Sequence, residues 1–215
     1  MRVPSLVIGL AVIACGSLKA QHVTFGTGYT LADYKEQADF LHFSGGGPNA
    51  MIVLERGRLA LRLDASHLKL NPKDGTGPLL EPFTLDQLDI RLGFQALSVV
   101  GLEAGYLQRW VDPSRAAQSF SAATLGVRAA YPLAPGAGVA VRTAYVAATG
   151  FSGGGSAPFG IVLGLNAVYG PGSGRFRLTG DYEFQRIDRR TDQNGSRLSV
   201  PIQHSFARFG LSVRF

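Results

Sequence analysis

The sequence predicts an all-β protein: a closed, antiparallel, up-and-down transmembrane β-barrel of about ten strands, with about eight as the alternative. Three observations support this prediction. Apolar residues alternate at period two from residue 23 onward. The alternating segments are long enough to cross a bilayer as tilted strands. The chain also ends on such a segment, which closes with Phe215.

Composition agrees with this fold class without deciding it. The 215 residues are 46% hydrophobic and 17% charged, which excludes a disordered chain but fits a soluble or a membrane protein. The 28 glycines and the low share of charge are expected when one face of each strand meets lipid. Beyond the N-terminal segment, no stretch approaches the ~18 consecutive apolar residues of a membrane-spanning helix.

The N-terminus indicates export. Arg2 precedes an apolar run over 3–16, and Ser17-Leu18-Lys19-Ala20 places a small residue at a cleavage point. Residues 1–20 are therefore predicted to be a secretory signal peptide, which leaves 21–215 as the barrel domain. The single cysteine, Cys15, lies in this segment, so no disulfide is expected in the mature chain. Lipidation of Cys15 is the alternative to cleavage after Ala20.

The strands follow from the alternation, which is clear at 58–66, where Leu59, Leu61 and Leu63 oppose polar neighbours. Most predicted strands have about nine to twelve residues, which suits a tilted membrane crossing. They cover 22–32, 48–55, 58–67, 87–95, 98–109, 121–131, 138–148, 158–169, 175–186 and 204–215. Short turns alternate with longer loops at 33–47, 68–86, 110–120, 149–157 and 187–203. With both termini periplasmic, the longer loops are predicted to be extracellular.

Aromatic residues at the strand ends predict two girdles at the levels of the lipid headgroups. The outer girdle is predicted to contain Tyr29, Tyr106, Tyr145 and Tyr182, and the periplasmic girdle Phe94, Tyr131, Tyr169 and Phe215.

The opposite face of the strands has the charges, which predicts a charged lumen network. Its predicted members are Arg62, Asp64, Asp89, Arg91, Glu103, Arg128, Arg142, Arg177, Asp181, Glu183, Arg208 and Arg214. Acids and arginines at i and i+2, as in Arg62/Asp64 and Asp89/Arg91, can meet each other and the next strand. A barrel of about ten strands is narrow, so the lumen is expected to be mostly plugged. If it conducts, the excess of arginine favours anions.

The sequence resembles the small outer-membrane β-barrel proteins, the OmpA-type and porin-like short barrels. The resemblance rests on the signal peptide, on the segment from Gly45 to Arg62, and on the last strand. It implies that Phe209, Leu211, Val213 and Phe215 form a signal for the barrel assembly machinery. The resemblance departs from the full-length OmpA pattern in that no peptidoglycan-binding domain is expected after the barrel.

Histidines near the predicted outer mouth are the candidates for catalysis. His42, His67 and His204 fall near strand ends that also have Asp33, Asp86 and Asp188. Outer-membrane proteases place Asp and His at such a mouth, and lipid A deacylases use His and Ser, for which His204-Ser205 is a candidate pair. Neither family's motif is present residue by residue, so no catalytic residue is assigned.

The sequence predicts no cofactor and no metal site. Gly26-Thr27-Gly28 and 153–155 lack the context of a nucleotide-binding loop. The net charge of +6 does not indicate nucleic acid, because much of it is assigned to the lumen. Loop cations, Lys69, Lys73, Arg115, Arg189, Arg190 and Arg197, could contact lipopolysaccharide phosphates.

These patterns together predict a Gram-negative outer-membrane protein, most simply a monomer, with lipid, lipopolysaccharide and the assembly machinery as partners. The favoured role is a structural or surface-interaction barrel that is not an enzyme. A narrow, weakly anion-preferring porin is the second hypothesis, and a surface hydrolase, either a protease or a lipid A deacylase, is the third.

Overall fold

The computed structural model describes residues 22–37, 40–73, 80–113, 115–171, 174–193 and 196–215. The predicted signal peptide at 1–20 lies outside the described residues. Within these ranges, no helix is long and apolar enough to cross a membrane.

The described chain is built almost wholly from β-strands. The strands are β1 (His22–Glu36), β2 (Leu41–Arg56), β3 (Leu59–Pro72), β4 (Phe83–Gln95), β5 (Val100–Asp112), β6 (Phe120–Ala134), β7 (Ala137–Phe151), β8 (Ser156–Tyr169), β9 (Phe176–Gln193) and β10 (Ser196–Arg214). A single turn of 3₁₀ helix, Ala116–Gln118, lies between β5 and β6.

Each strand pairs in antiparallel fashion with its neighbour in sequence, and β1 pairs with β10 to close the sheet. The prediction of a closed up-and-down barrel of about ten strands is therefore confirmed, and the alternative of about eight is wrong. Closure satisfies the backbone of every strand from within the sheet and removes both edges. At the seam, the Phe215 N–H donates to the Val23 carbonyl at 2.8 Å, and the Val23 N–H donates back at 3.2 Å.

The predicted strand ends were wrong at the outer side of the barrel. The strands have 13 to 19 residues, because most of the segments predicted as long outer loops continue the strands. On this side the strands end at Glu36, Pro72, Asp112, Phe151 and Gln193, and the next strands begin at Leu41, Phe83, Phe120, Ser156 and Ser196. About nine to eleven residues suffice for a tilted strand to cross a membrane. The wall of the barrel therefore extends beyond the bilayer on this side.

The outer surface of the wall shows where the membrane lies. All eight aromatic residues of the predicted girdles are exposed on this surface. Between them, outward positions are apolar, as at Leu61, Leu92 and Leu211. Toward the outer end the outward face has charges, at Asp33 and Lys35 on β1 and at Arg186 and Asp188 on β9.

The apolar side of each strand changes at that boundary. On β3, the odd-numbered Leu59, Leu61 and Leu63 face outward, whereas the even-numbered Leu68 and Leu70 are fully buried inside. The same switch occurs on β1 and β9. Below it the wall meets lipid and encloses polar groups; above it the wall meets water and encloses an apolar core. Whether lipid or water surrounds the wall therefore decides which alternate residues of a strand, the outward or the inward ones, are hydrophobic.

This apolar core fills the outer half of the lumen, and all ten strands contribute to it. Its larger members are Tyr34, Phe43, Leu68, Leu70, Phe83, Leu85, Leu107, Val111, Phe120, Val146, Phe151, Val162, Ile187, Ile202 and Phe206. Their rings pack edge to face, as where Phe83 lies 5.4 Å from Tyr34 and 4.9 Å from Phe43 between ring centroids. The core is called the outer plug below.

Candidate functional site: the barrel lumen

The inner half of the lumen contains an ion-pair network. On β3, Arg62 donates to the Asp64 carboxylate at 2.7 Å, and Arg91 of β4 donates to the same carboxylate. Arg91 also lies 3.2 Å from Asp89 on its own strand. The i, i+2 pairs predicted from the sequence therefore meet both within and between strands.

The register explains why these charges form a network rather than separate pairs. Asp64 lies directly opposite Asp89 across β3 and β4, and Arg62 lies directly opposite Arg91. Like charges that face each other are destabilising unless their diagonal neighbours compensate. Each carboxylate is therefore compensated by an arginine two residues away on its own strand, and Asp64 also by the diagonal Arg91 of the neighbouring strand.

The far wall of the lumen has a second cluster. Arg142 of β7 donates to Glu103 at 2.8 Å and to Glu183 at 3.3 Å. Arg208 of β10 donates to Asp181 at 2.7 Å and approaches Glu183 at 3.5 Å. Glu183 therefore links the arginines of two strands that are not neighbours, and its contact with Arg142 passes over Gly164 of the intervening strand β8.

Three predicted members lie nearer the inner rim. Arg214 pairs at 3.2 Å with Glu55, a carboxylate that the sequence prediction omitted. Arg128 and Arg177 line the same cavity but have no hydrogen-bond or ion-pair partner among the described residues. The structure therefore brings ten of the twelve predicted residues into ion pairs and leaves these two arginines outside them.

A cavity of about 230 Å³ lies within this inner region. Arg62, Arg91, Arg128, Arg142, Arg177 and Arg214 contribute to its lining, together with Glu55, Glu103, Asp181 and Glu183. The cavity reaches the inner rim, since Glu55, Arg177 and Arg214 stand at or next to the ends of their strands.

A single arginine is embedded in the outer plug. The guanidinium of Arg109 donates to Gln87 Oε1 and to Gln185 Oε1 at 2.6 Å each, and its Nη1 lies 3.0 Å from His204 Nδ1. It also stacks on Phe120, with 4.9 Å to the ring centroid. These contacts join β5 to its neighbour β4 and, across the lumen, to β9 and β10. The sequence prediction missed Arg109, although it has the inward parity of Glu103 on the same strand.

The candidate catalytic histidines do not form one site. His42 and His67 lie on the outer surface, each 2.5 Å from a carboxylate, Asp33 and Asp86 respectively. His204 points into the plug and is fully buried. Ser205 follows it on the same strand and therefore faces the opposite side of the wall. The side chains of His204 and Ser205 therefore cannot act together as a catalytic pair. Among the described residues, no group of three or more His, Cys, Asp or Glu could hold a metal ion.

A groove of about 720 Å³ marks the outer surface where β1, β2, β3, β9 and β10 leave the apolar band. Tyr29, Leu31 and Tyr182 line its apolar part, and Lys69 and Lys73 its polar end. Gly46 forms part of its floor, where a side chain would clash with the Thr30 carbonyl of β1. We call this feature the outer groove.

The closed sheet, the outward apolar band between two aromatic levels and the charged lumen define a class: the chain has the fold of the small outer-membrane β-barrels. Among solved structures it is similar to an outer-membrane channel from Pseudomonas putida F1, with a TM-score of 0.51, 11% identity and coverage of 93% of this chain and 97% of that one. This similarity concerns the fold alone.

Two further solved structures also match. Ail, the attachment invasion locus protein of Yersinia pestis, has a TM-score of 0.41 and 13% identity over 92% of this chain and 100% of that one. Neisserial surface protein A has a TM-score of 0.40 and 13% identity over 90% of this chain and 97% of that one. No protein-family model matches the sequence, and no curated protein matches it.

Proposed function

We propose that this protein is a closed outer-membrane barrel that acts at the cell surface and does not conduct solutes. The observation that carries this proposal is the outer plug, in which side chains from all ten strands fill the outer half of the lumen. Arg109 supports it further, because its hydrogen bonds join opposite parts of the wall through the middle of the plug. Packed interiors of this kind leave few voids that could hold water.

Conductance of the refolded protein in planar bilayers tests the seal. We expect no steady, discrete channels from the wild type. Phe83→Ala should give openings, because it removes a ring that packs between Tyr34 and Phe43. The matched control is Phe94→Ala, which removes a lipid-facing ring of the same strand and should give no channels.

Steady channels from the wild type would contradict the closed barrel. They would favour the second hypothesis, a narrow anion-preferring pore, for which the arginine-rich inner cavity is the supporting observation. The sign of the reversal potential in a salt gradient would then report the preferred ion.

At the surface, we propose that lipopolysaccharide is the barrel's lipid partner and that it occupies the outer groove. The groove joins an apolar floor to cations at the level of the outer headgroups. Lys35 and Lys73 lie 3.7 and 3.4 Å from the Asp33 carboxylate, which also contacts His42. Lys69 adds a positive charge to the lining of the groove. Lysine side chains at this end of the groove complement a phosphorylated lipid with several acyl chains.

Binding of diphosphoryl lipid A to the folded protein, measured by native mass spectrometry, tests this partner. Reversing two cations in Lys69→Glu with Lys73→Glu should weaken binding about tenfold or more, because each lysine near a phosphate contributes about 1 kcal/mol. The matched control reverses two exposed cations at the inner turn, Arg56→Glu with Arg58→Glu, and should bind as the wild type does. Equal binding of dephosphorylated lipid would contradict the phosphate contact.

A further inference from the structure

The inner half of the lumen has more arginine than its carboxylates can pair. Its six carboxylates, Glu55, Asp64, Asp89, Glu103, Asp181 and Glu183, all lie in ion pairs. Their partners are five arginines, Arg62, Arg91, Arg142, Arg208 and Arg214. The acids of the network are therefore already engaged.

Arg128 and Arg177 are the two arginines left over. Neither has a hydrogen bond or an ion pair within the described part of the chain, and both line the cavity of about 230 Å³. Arg128 on β6 lies directly opposite Arg142 of β7. The carboxylates that act on Arg128, Glu103 and Glu55, already pair with Arg142 and Arg214. An added anion would supply acceptors for the N–H groups of both guanidinium groups.

The cavity has the size and the donors for a small anion. At about 30 Å³ per water, it holds on the order of seven waters, which is too small for a nucleotide or a drug-sized ligand. Guanidinium groups bind oxyanions through paired N–H donors, and each has up to about five N–H groups to offer. Thr24 and Thr179 add hydroxyl donors to the lining.

The cavity is also reachable from one side. Arg177 is the second residue of β9 and stands at the inner rim, whereas the outer plug closes the opposite end. A ligand therefore enters from the periplasm.

From this geometry we propose that the inner cavity is a binding site for a small oxyanion, such as phosphate or a short carboxylate, and that Arg128 and Arg177 are its principal ligands. The site goes beyond the proposed surface role, because a barrel sealed at its outer end can still bind a ligand from the periplasm. The binding site also differs from a pore, because the anion enters and leaves the cavity through the same opening.

Titration calorimetry of the folded protein in neutral detergent with inorganic phosphate tests the site. The wild type should bind with saturation at one site, and chloride at equal ionic strength should not reproduce the heat. Arg128→Gln and Arg177→Gln should each weaken binding about tenfold or more, because a hydrogen bond to a charged group contributes about 1.5–3 kcal/mol. Arg128→Lys should lose less than Arg128→Gln, since it keeps the charge.

The matched control is Arg56→Gln with Arg58→Gln at the exposed inner turn, which removes two charges near the same rim and should leave binding unchanged. Heat-modifiable migration in electrophoresis verifies that each variant is folded. Absence of phosphate binding to the wild type would overturn the proposal. Equal binding by the wild type and by Arg128→Gln with Arg177→Gln would overturn it as well. Because calorimetry needs no bilayer, its outcome is independent of the conductance result.

Discussion

Arg91→Ala is expected to lower the free energy of unfolding by about 3–5 kcal/mol, the loss typical of removing one partner from a buried ionic group. Arg91 is the residue that holds Asp64 and Asp89 together: it contacts both carboxylates, which lie directly opposite each other. Without it, Asp89 loses its ion-pair partner and faces a like charge. The side chains of Arg91 and Asp89 are 10% and 6% exposed, so water compensates little.

Urea unfolding in detergent or lipid vesicles measures this loss, with the fluorescence of Trp110, the single tryptophan, as the probe. Arg177→Ala is the matched control, because it removes the same side chain from the same lumen at a position without an ion pair. We expect it to change stability by less than about 1 kcal/mol. Glu103→Ala should resemble Arg91→Ala, since it leaves Arg142 with one carboxylate instead of two.

If Arg91→Ala and Glu103→Ala change stability no more than Arg177→Ala does, the inner lumen is already hydrated and water compensates the charges left without a partner. The network would then be unimportant for stability. Conductance measured in parallel separates a loss of stability from an opening of the lumen.

The second large effect is expected from Phe215→Asp, which should abolish assembly into the outer membrane of cells. Phe215 closes the seam with β1 through two backbone hydrogen bonds to Val23, and its ring lies 6.1 Å from that of Phe25. Its side chain is 63% exposed, so burial in the barrel does not explain a terminal aromatic at this position. The predicted assembly signal requires an exposed ring of this kind.

Heat-modifiable migration of the protein from isolated outer membranes measures folded barrel. The matched control is Tyr169→Asp, which places the same charge at the same inner girdle but on an internal strand end. A charge at this level costs about 0–1 kcal/mol, so Tyr169→Asp should still assemble. Refolding of Phe215→Asp in detergent, without the machinery, should be impaired less than assembly in cells. Normal assembly of Phe215→Asp would contradict the terminal signal, and equal failure of both variants would indicate a general effect of charge.

Much of the barrel could be predicted from the sequence because the membrane imposes one simple pattern. On segments such as 58–66 and 206–215, lipid outside and polar groups inside fix the parity of each strand. The order of the strands, their antiparallel pairing and the closing of β1 on β10 follow from short connections and from the need to remove edges. The inward direction of Arg62, Asp89 and Glu183 follows from the same parity.

The outer half could not be predicted with that single pattern. Segments 33–47, 68–86 and 187–203 were predicted as loops. Where the structure describes them, their hydrophobic residues alternate in the opposite sense to those within the membrane, so the inward positions are the apolar ones. On β9, Tyr182 and Phe184 face outward, whereas Ile187 faces inward between the outward Arg186 and Asp188. A switch of parity along one strand marks the place where the wall passes from lipid into water. This switch is the signal for the outer plug, and it is present in the sequence.

The sequence by itself determined the all-β class, the order of the strands and the face of each strand within the bilayer, because these depend on local alternation and on the solvent. The choice between ten strands and eight came from the closed pairing of the structure. The tertiary structure alone decided which charges meet. Arg142 reaches Glu183 past the intervening strand β8, and Arg109 reaches Gln185 across a lumen whose shape depends on the register of all ten strands together. It also decided that Arg128 and Arg177 have no ion-pair partner among the residues that the structure describes, since pairing depends on distances between strands far apart in the chain.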